Sequence, residues 1–170
     1  MKISLIVLVA WLLALAPSAY AEEGLFIAKL SGGVSAAAED TSNLGGHITG
    51  SMDLAIGERT GPVAGFSILL DQRQDAIGLH LGVKRILHER TWTRLYLSLA
   101  PEILCVWDHE RDRGAELDLA AHGALGFEYL MMWGLGMVFE LEGSVPTRLG
   151  EIEAYDPAWM GVTLGLFTEF

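Results

Sequence analysis

The sequence predicts an all-β fold, an eight-stranded antiparallel up-and-down transmembrane β-barrel. Three observations predict it. Apolar residues alternate with small or polar ones in eight segments, the connections fall into two length classes, and aromatic residues gather at segment ends. Period-two alternation puts the two kinds of side chain on opposite faces of a strand, whereas a helix would spread both around its surface.

Composition bounds the alternatives. The 170 residues allow one domain. With 51% hydrophobic residues the chain is too apolar for intrinsic disorder, and its 20 glycines follow no three-residue period. Acidic residues outnumber basic ones 22 to 11, a net charge of −11, which argues against a nucleic-acid partner. The single cysteine, Cys105, forms no intramolecular disulfide, and no Cys/His cluster has zinc spacing, so neither a cofactor nor a metal is expected.

Residues 1–21 read as a secretory signal peptide. Met1-Lys2 is a basic start, Ile3 to Ala16 is an apolar run, and Ala19-Tyr20-Ala21 is a small-x-small cleavage site before Glu22. The barrel domain is expected over residues 22–170. No later apolar run reaches the 18 residues of a transmembrane helix.

The first three segments, Leu25–Ser35, His47–Gly57 and Val63–Asp71, alternate weakly. The fourth sets Ile77, Leu79, Leu81 and Val83 against Gly78, His80, Gly82 and Lys84. In the fifth, Leu95, Leu97 and Leu99 alternate with Arg94, Tyr96, Ser98 and Ala100; Pro101 removes one ladder donor and predicts a bulge. The sixth runs from Glu116 to Tyr129, with Leu117, Leu119, Leu125 and Phe127 on one face and Asp118, Ala120, His122, Ala124 and Glu128 on the other. The seventh sets Leu135, Met137, Phe139 and Leu141 against Gly136, Val138, Glu140 and Glu142. The eighth sets Met160, Val162, Leu164, Leu166 and Phe170 against Gly161, Gly165, Phe167 and Glu169. Short connections are expected at Gly57–Pro62, His88–Thr91 and Met131–Gly134, longer ones at Ala36–Gly46, Asp108–Ala115 and Ser144–Pro157, with Asp71–Asp75 a short exception. Tight turns on one side and longer loops on the other suit a membrane barrel with periplasmic termini.

Alternation alone fits a soluble barrel with an apolar lumen as well. Two features favour the membrane orientation. The non-apolar face is largely Gly and Ala, interspersed with charges of both signs, as a narrow lumen filled by side chains requires. That lumen is expected to hold a polar network of Lys29, Asp53, His80, Lys84, Arg94, Glu102, Glu116, Asp118, His122, Glu128 and Glu140. The aromatics then form two interfacial girdles: Trp92, Tyr129, Trp133 and Phe170 at the turn side, and Trp107, Tyr155 and Trp159 at the loop side. A closed barrel also satisfies every backbone group inside the bilayer.

The terminal aromatic Phe170, with Leu166, Leu164 and Val162 on its face, resembles the assembly signal of bacterial outer-membrane barrels. With the signal peptide and the eightfold pattern, the chain resembles the small eight-stranded barrels of the OmpX, OmpA transmembrane-domain and OmpW kind. The resemblance implies residence in the outer membrane of a Gram-negative cell. It implies lipid and lipopolysaccharide as partners, and recognition of the last strand by the barrel-assembly machinery.

His122, on one face with Asp118 and Glu128, is the leading candidate for general-base chemistry. Eight-stranded lipid A deacylases pair a strand histidine with a serine two residues later. Here Gly123-Ala124 follows His122 and Leu81-Gly82 follows His80, so neither matches. The N-terminal amphipathic helix of the palmitoyltransferase barrels is also lacking, since three residues separate the cleavage site from the first strand. A lumen network is the simpler role for His122. The run Asp108 to Arg113, and Glu151-Ile152-Glu153, offer oxygen ligands but no calcium-loop pattern. A non-enzymatic role in envelope structure or surface interaction through the loops is expected. A lipid A-modifying enzyme and a soluble periplasmic lipocalin-like carrier are the alternatives.

Overall fold

The computed structural model describes residues 25–37, 44–55, 59–71, 74–109, 115–146 and 158–170. Residues 1–21, which read as a signal peptide, Tyr155 and most of the acidic loop residues lie outside these. Eight strands follow in order: β1 (Leu25–Ala37), β2 (Leu44–Ala55), β3 (Thr60–Leu70), β4 (Gln74–Arg90), β5 (Thr93–Asp108), β6 (Glu116–Met132), β7 (Leu135–Pro146) and β8 (Trp159–Glu169). Each pairs antiparallel with its neighbour, and β1 pairs with β8, which closes the barrel. Closure leaves no edge with unpaired backbone groups.

Several strands run past the segments that alternation marks. β4 continues to Arg90, so the expected connection at His88–Thr91 shrinks to Thr91-Trp92. β1 and β2 pair as far as Ala36 and Leu44, inside the stretch expected to be a loop. The ladder is a backbone property and continues after the side-chain pattern has faded.

No bulge forms at Pro101. The β5–β6 register passes through the Pro101 and Ala121 pair without a shift, and Pro101 faces outward. The bulges lie instead at the turn end, between Ile86 and His88 in β4 and between Leu130 and Met132 in β6. The second leads into a two-residue turn, Trp133-Gly134, with φ of 51° and 77°. Positive φ at both central residues matches the twist of a tight hairpin. A Cβ at Gly134 would also lie 2.7 Å from the carbonyl oxygen of Glu169.

The apolar face is the outer one. Leu79, Leu81, Leu99, Ile103, Leu117 and Leu164 are each more than half exposed. The inward positions hold Lys29, Asp53, His80, Lys84, Glu102, His122, Glu128 and Glu140, all buried. This is the reverse of a soluble carrier, whose apolar side chains would line the cavity.

The two barrel ends follow from the topology. The start of β1, the end of β8 and the tight turns 91–92 and 133–134 share one end; the last residues of β1, β3, β5 and β7 share the other. Trp92, Tyr129, Trp133 and Phe170 are exposed at the turn end, and Trp107 at the loop end. Trp159 departs from expectation. It is 8% exposed and points into the lumen, because it shares the parity of Gly161, Thr163 and Phe167.

Candidate functional site in the barrel lumen

The lumen is filled in layers, each built by side chains from several strands. At the turn-end mouth Arg94 pairs with Glu169 and donates to Glu89 at 2.8 Å. Beyond it Ile27, Tyr96, Val138 and Phe167 form an apolar layer, with Leu130 packed against it. A Cβ at Gly126 would fall within the Tyr96 ring, so this position leaves the room that Tyr96 fills.

A charged layer follows. The Lys84 ammonium donates to Asp53 and Glu128, each at 2.6 Å. Lys29 lies 3.2 Å from Asp53, 3.5 Å from Glu128 and 3.6 Å from Glu140. Both lysine nitrogens lie over the Tyr96 ring, 4.2 and 4.1 Å from its centroid. Its hydroxyl accepts from Lys29 at 3.0 Å and donates to Glu140. Cation–π contact and charge-assisted hydrogen bonds thus share the desolvation of the ammoniums.

A histidine layer lies nearer the loop end. Glu102 accepts from Ser67 and Ser144, each at 2.7 Å. Glu142 accepts from Thr163 at 2.9 Å and from Thr49 at 3.5 Å. His80 and His122 stack with ring centroids 4.5 Å apart, and His47 meets Trp159 edge-on at 4.6 Å. Toward the loop end Ala76, Leu104, Val106 and Ala120 form an apolar cluster, with Leu69 packed against it.

The expected network therefore divides. Lys29, Asp53, Lys84, Glu128 and Glu140 come together in one layer, and His80, Glu102 and His122 in another. Arg94 sits at the mouth, 3.8 Å from Glu128. Glu116 and Asp118 are only half-buried at the loop end of β6, and Asp118 accepts a hydrogen bond from the backbone of Leu119. His122 consequently finds its carboxylates across the lumen in Glu102 and Glu142, at 3.8 and 3.9 Å. Tyr96, His47, Glu142, Ser67, Ser144 and Thr163 are lumen residues that sequence reasoning did not single out. Strand parity was the available signal for most of them: Tyr96 and Glu142 lie two positions from Arg94 and Glu140, and Ser67, Ser144 and Thr163 lie across from Gly78, His122 and Glu140, whereas no such neighbour marks His47.

Among the described residues the lumen histidines are not arranged for acyl transfer to lipid. His122 is 5% exposed inside the barrel, and the Ser144 hydroxyl donates to Glu102 rather than to a histidine. A nucleophile needs a base in hydrogen-bond reach.

No protein-family model matches the chain, and no curated protein does. Solved structures do. The N-terminal β-barrel domain of Pseudomonas aeruginosa OprF superposes with a TM-score of 0.65 at 14% identity, over 86% of this chain and 97% of that one. Neisserial surface protein A superposes with a TM-score of 0.66 at 7% identity and the same coverage. The fold is that of the small outer-membrane barrels. Ail of Yersinia pestis, crystallised with the heparin analogue sucrose octasulfate, shares it as well, with a TM-score of 0.55 at 9% identity over 86% of this chain and 97% of Ail.

Proposed function

We propose that this protein is a sealed, non-enzymatic outer-membrane barrel that serves envelope structure or surface interaction through its loops. The observation that carries the reading is an apolar exterior around a lumen closed by paired side chains. Two buried ammoniums and five buried carboxylates occupy the middle, with an apolar layer toward the turn end and an apolar cluster toward the loop end. Eight strands leave no aqueous channel once the lumen is filled.

In this reading the outer residues contact lipid, and lipopolysaccharide meets the loop end. The Phe170 side chain, 69% exposed beside Leu166, serves as the handle for the barrel-assembly machinery. The turn-end aromatics Trp92, Tyr129 and Trp133, with Trp107 opposite, anchor the barrel at the two interfaces. The heparin analogue bound by Ail is a poor guide to a partner here, because a chain with net charge −11 repels polyanions.

The membrane fraction of expressing cells tests the reading. The unboiled protein should migrate differently from the boiled one in SDS and reside in the outer membrane. Purified barrels should give no steady conductance in planar bilayers, and lipid A from expressing cells should be unchanged. A stable conductance or a modified lipid A would overturn the proposal. Recovery from the soluble periplasmic extract would do so too.

A further inference from the structure

The histidine layer holds more than packing. The ligating atoms of His80, Glu102 and His122 all lie within 4.8 Å of one another. The Nδ1 of His80 is 3.9 Å from Oε1 of Glu102, and the Nδ1 of His122 is 3.8 Å from Oε2. Both of these nitrogens are buried without a hydrogen-bond partner. The two histidine side chains are 6% and 4% exposed and that of Glu102 is not exposed at all. Buried polar atoms in native proteins nearly always have partners. Two unpartnered imidazole nitrogens aimed at one carboxylate describe a place for a cation.

Charge points the same way. The two buried ammoniums stand with Asp53, Glu128 and Glu140. Among the described residues no lysine or arginine pairs with Glu102 or Glu142, so this layer carries carboxylates without a fixed positive charge. We propose that His80, Glu102 and His122 bind one divalent transition-metal ion, of the Zn²⁺ or Cu²⁺ class, inside the barrel.

The donor set selects the metal class. Two imidazoles and one carboxylate suit zinc, copper, nickel or ferrous iron, whereas calcium and magnesium favour all-oxygen sites. Ligands about 2.0–2.1 Å from a tetrahedral ion lie roughly 3.3 Å apart. The observed 3.8 and 3.9 Å histidine–carboxylate separations close with shifts of a few tenths of an ångström, and any remaining separation, within 4.8 Å, closes by at most about 1.5 Å as the rings move. The rings are now parallel to within 6°, and because an imidazole lone pair lies in the ring plane, binding tilts them apart. The surroundings orient the ligands as outer-shell groups do at known sites. Ser67 and Ser144 hold the two oxygens of Glu102, and Glu142 lies 3.9 Å from the far nitrogen of His122.

The test uses the protein refolded in detergent with equimolar Zn²⁺, then desalted. Loading during refolding bypasses the closed barrel. Zinc per chain is measured by mass spectrometry on samples shown to be folded by their unboiled migration in SDS. One zinc per chain is expected. His80→Gln and His122→Gln should abolish retention, and Ser144→Ala should weaken affinity about 10–100-fold. The exposed His88 and His109, the second 3.4 Å from Asp75, supply the control. Their double alanine variant should keep its zinc. Zinc absent from the folded wild-type protein, retained by both lumen variants, or lost in the control would overturn the proposal. Should the lumen variants fail to fold, Co²⁺ in the wild-type protein decides. Paramagnetic shifts of the His80 and His122 imidazole resonances support the site, and their absence overturns it.

Discussion

Replacing Lys84 by methionine removes the centre of the charged layer while keeping most of the side-chain volume. The Lys84 ammonium is 2.6 Å from one oxygen each of Asp53 and Glu128, and its side chain is 5% exposed. Coulomb's law at an effective dielectric constant of about 20 gives ~6 kcal/mol of attraction for each such pair. Desolvation of the ammonium and repulsion from Lys29 offset much of this. What the substitution leaves behind matters more: Asp53, Glu128 and Glu140 would share Lys29, at 3.2 to 3.6 Å, with only Arg94, 3.8 Å from Glu128, as a further cation. Breaking a buried pair this way costs about 3–5 kcal/mol. Removing the stranded charges as well, in Lys84→Met with Asp53→Asn and Glu128→Gln, should recover more than half of the loss. The assay is urea unfolding in phospholipid vesicles, followed by tryptophan fluorescence and by the fraction that resists SDS unboiled. Midpoints convert to free energy only if the slope is unchanged. A loss below about 0.5 kcal/mol, the range of surface substitutions, would refute a dry, ion-paired lumen. So would a triple variant no better than the single one.

Leu97→Arg, on the lipid face of β5, should destabilise the barrel by about 2–4 kcal/mol in bilayers; normal stability there would reverse the face assignment. Gly126→Ala should cost about 1–3 kcal/mol by driving a methyl group into Tyr96. Gly32→Ala should be nearly neutral, since its nearest neighbour would lie 3.8 Å away, and thermal melts of both variants report the contrast. Phe170→Ala should lower the yield assembled in cells yet leave refolding in detergent intact. The backbone bonds of Phe170 to Phe26, at 2.9 and 3.3 Å, do not involve its side chain. Equal yields in a quantitative blot of membrane fractions would remove Phe170 as an assembly handle.

The sequence by itself determined the architecture and the sense of its two faces. Alternation is local, and a strand's side chains obey it wherever the strand lies. Leu95, Leu97 and Leu99 could share only one face, and the charges between the leucines of β4 to β7 only the other. Eight alternating segments with tight turns such as Trp133-Gly134 leave few topologies besides a closed meander. Trp159 was misplaced: its position near a strand end suggested a girdle, whereas it shares the parity of Gly161 and Thr163 and lies inside.

What the tertiary structure alone decided is which inward residues meet. Parity says that a side chain enters the lumen but not at what height. Height depends on the stagger accumulated around the closed barrel, which appears only where β1 pairs with β8, Lys29 opposite Phe167. Lys84 therefore reaches Asp53 and Glu128, 31 and 44 residues away in sequence. Asp118, four positions from His122 on one strand face, rises to the rim instead of joining it. His80, Glu102 and His122 come from three strands, so no ligand spacing along the chain marks them. Their convergence on unpartnered nitrogens is a property of barrel closure.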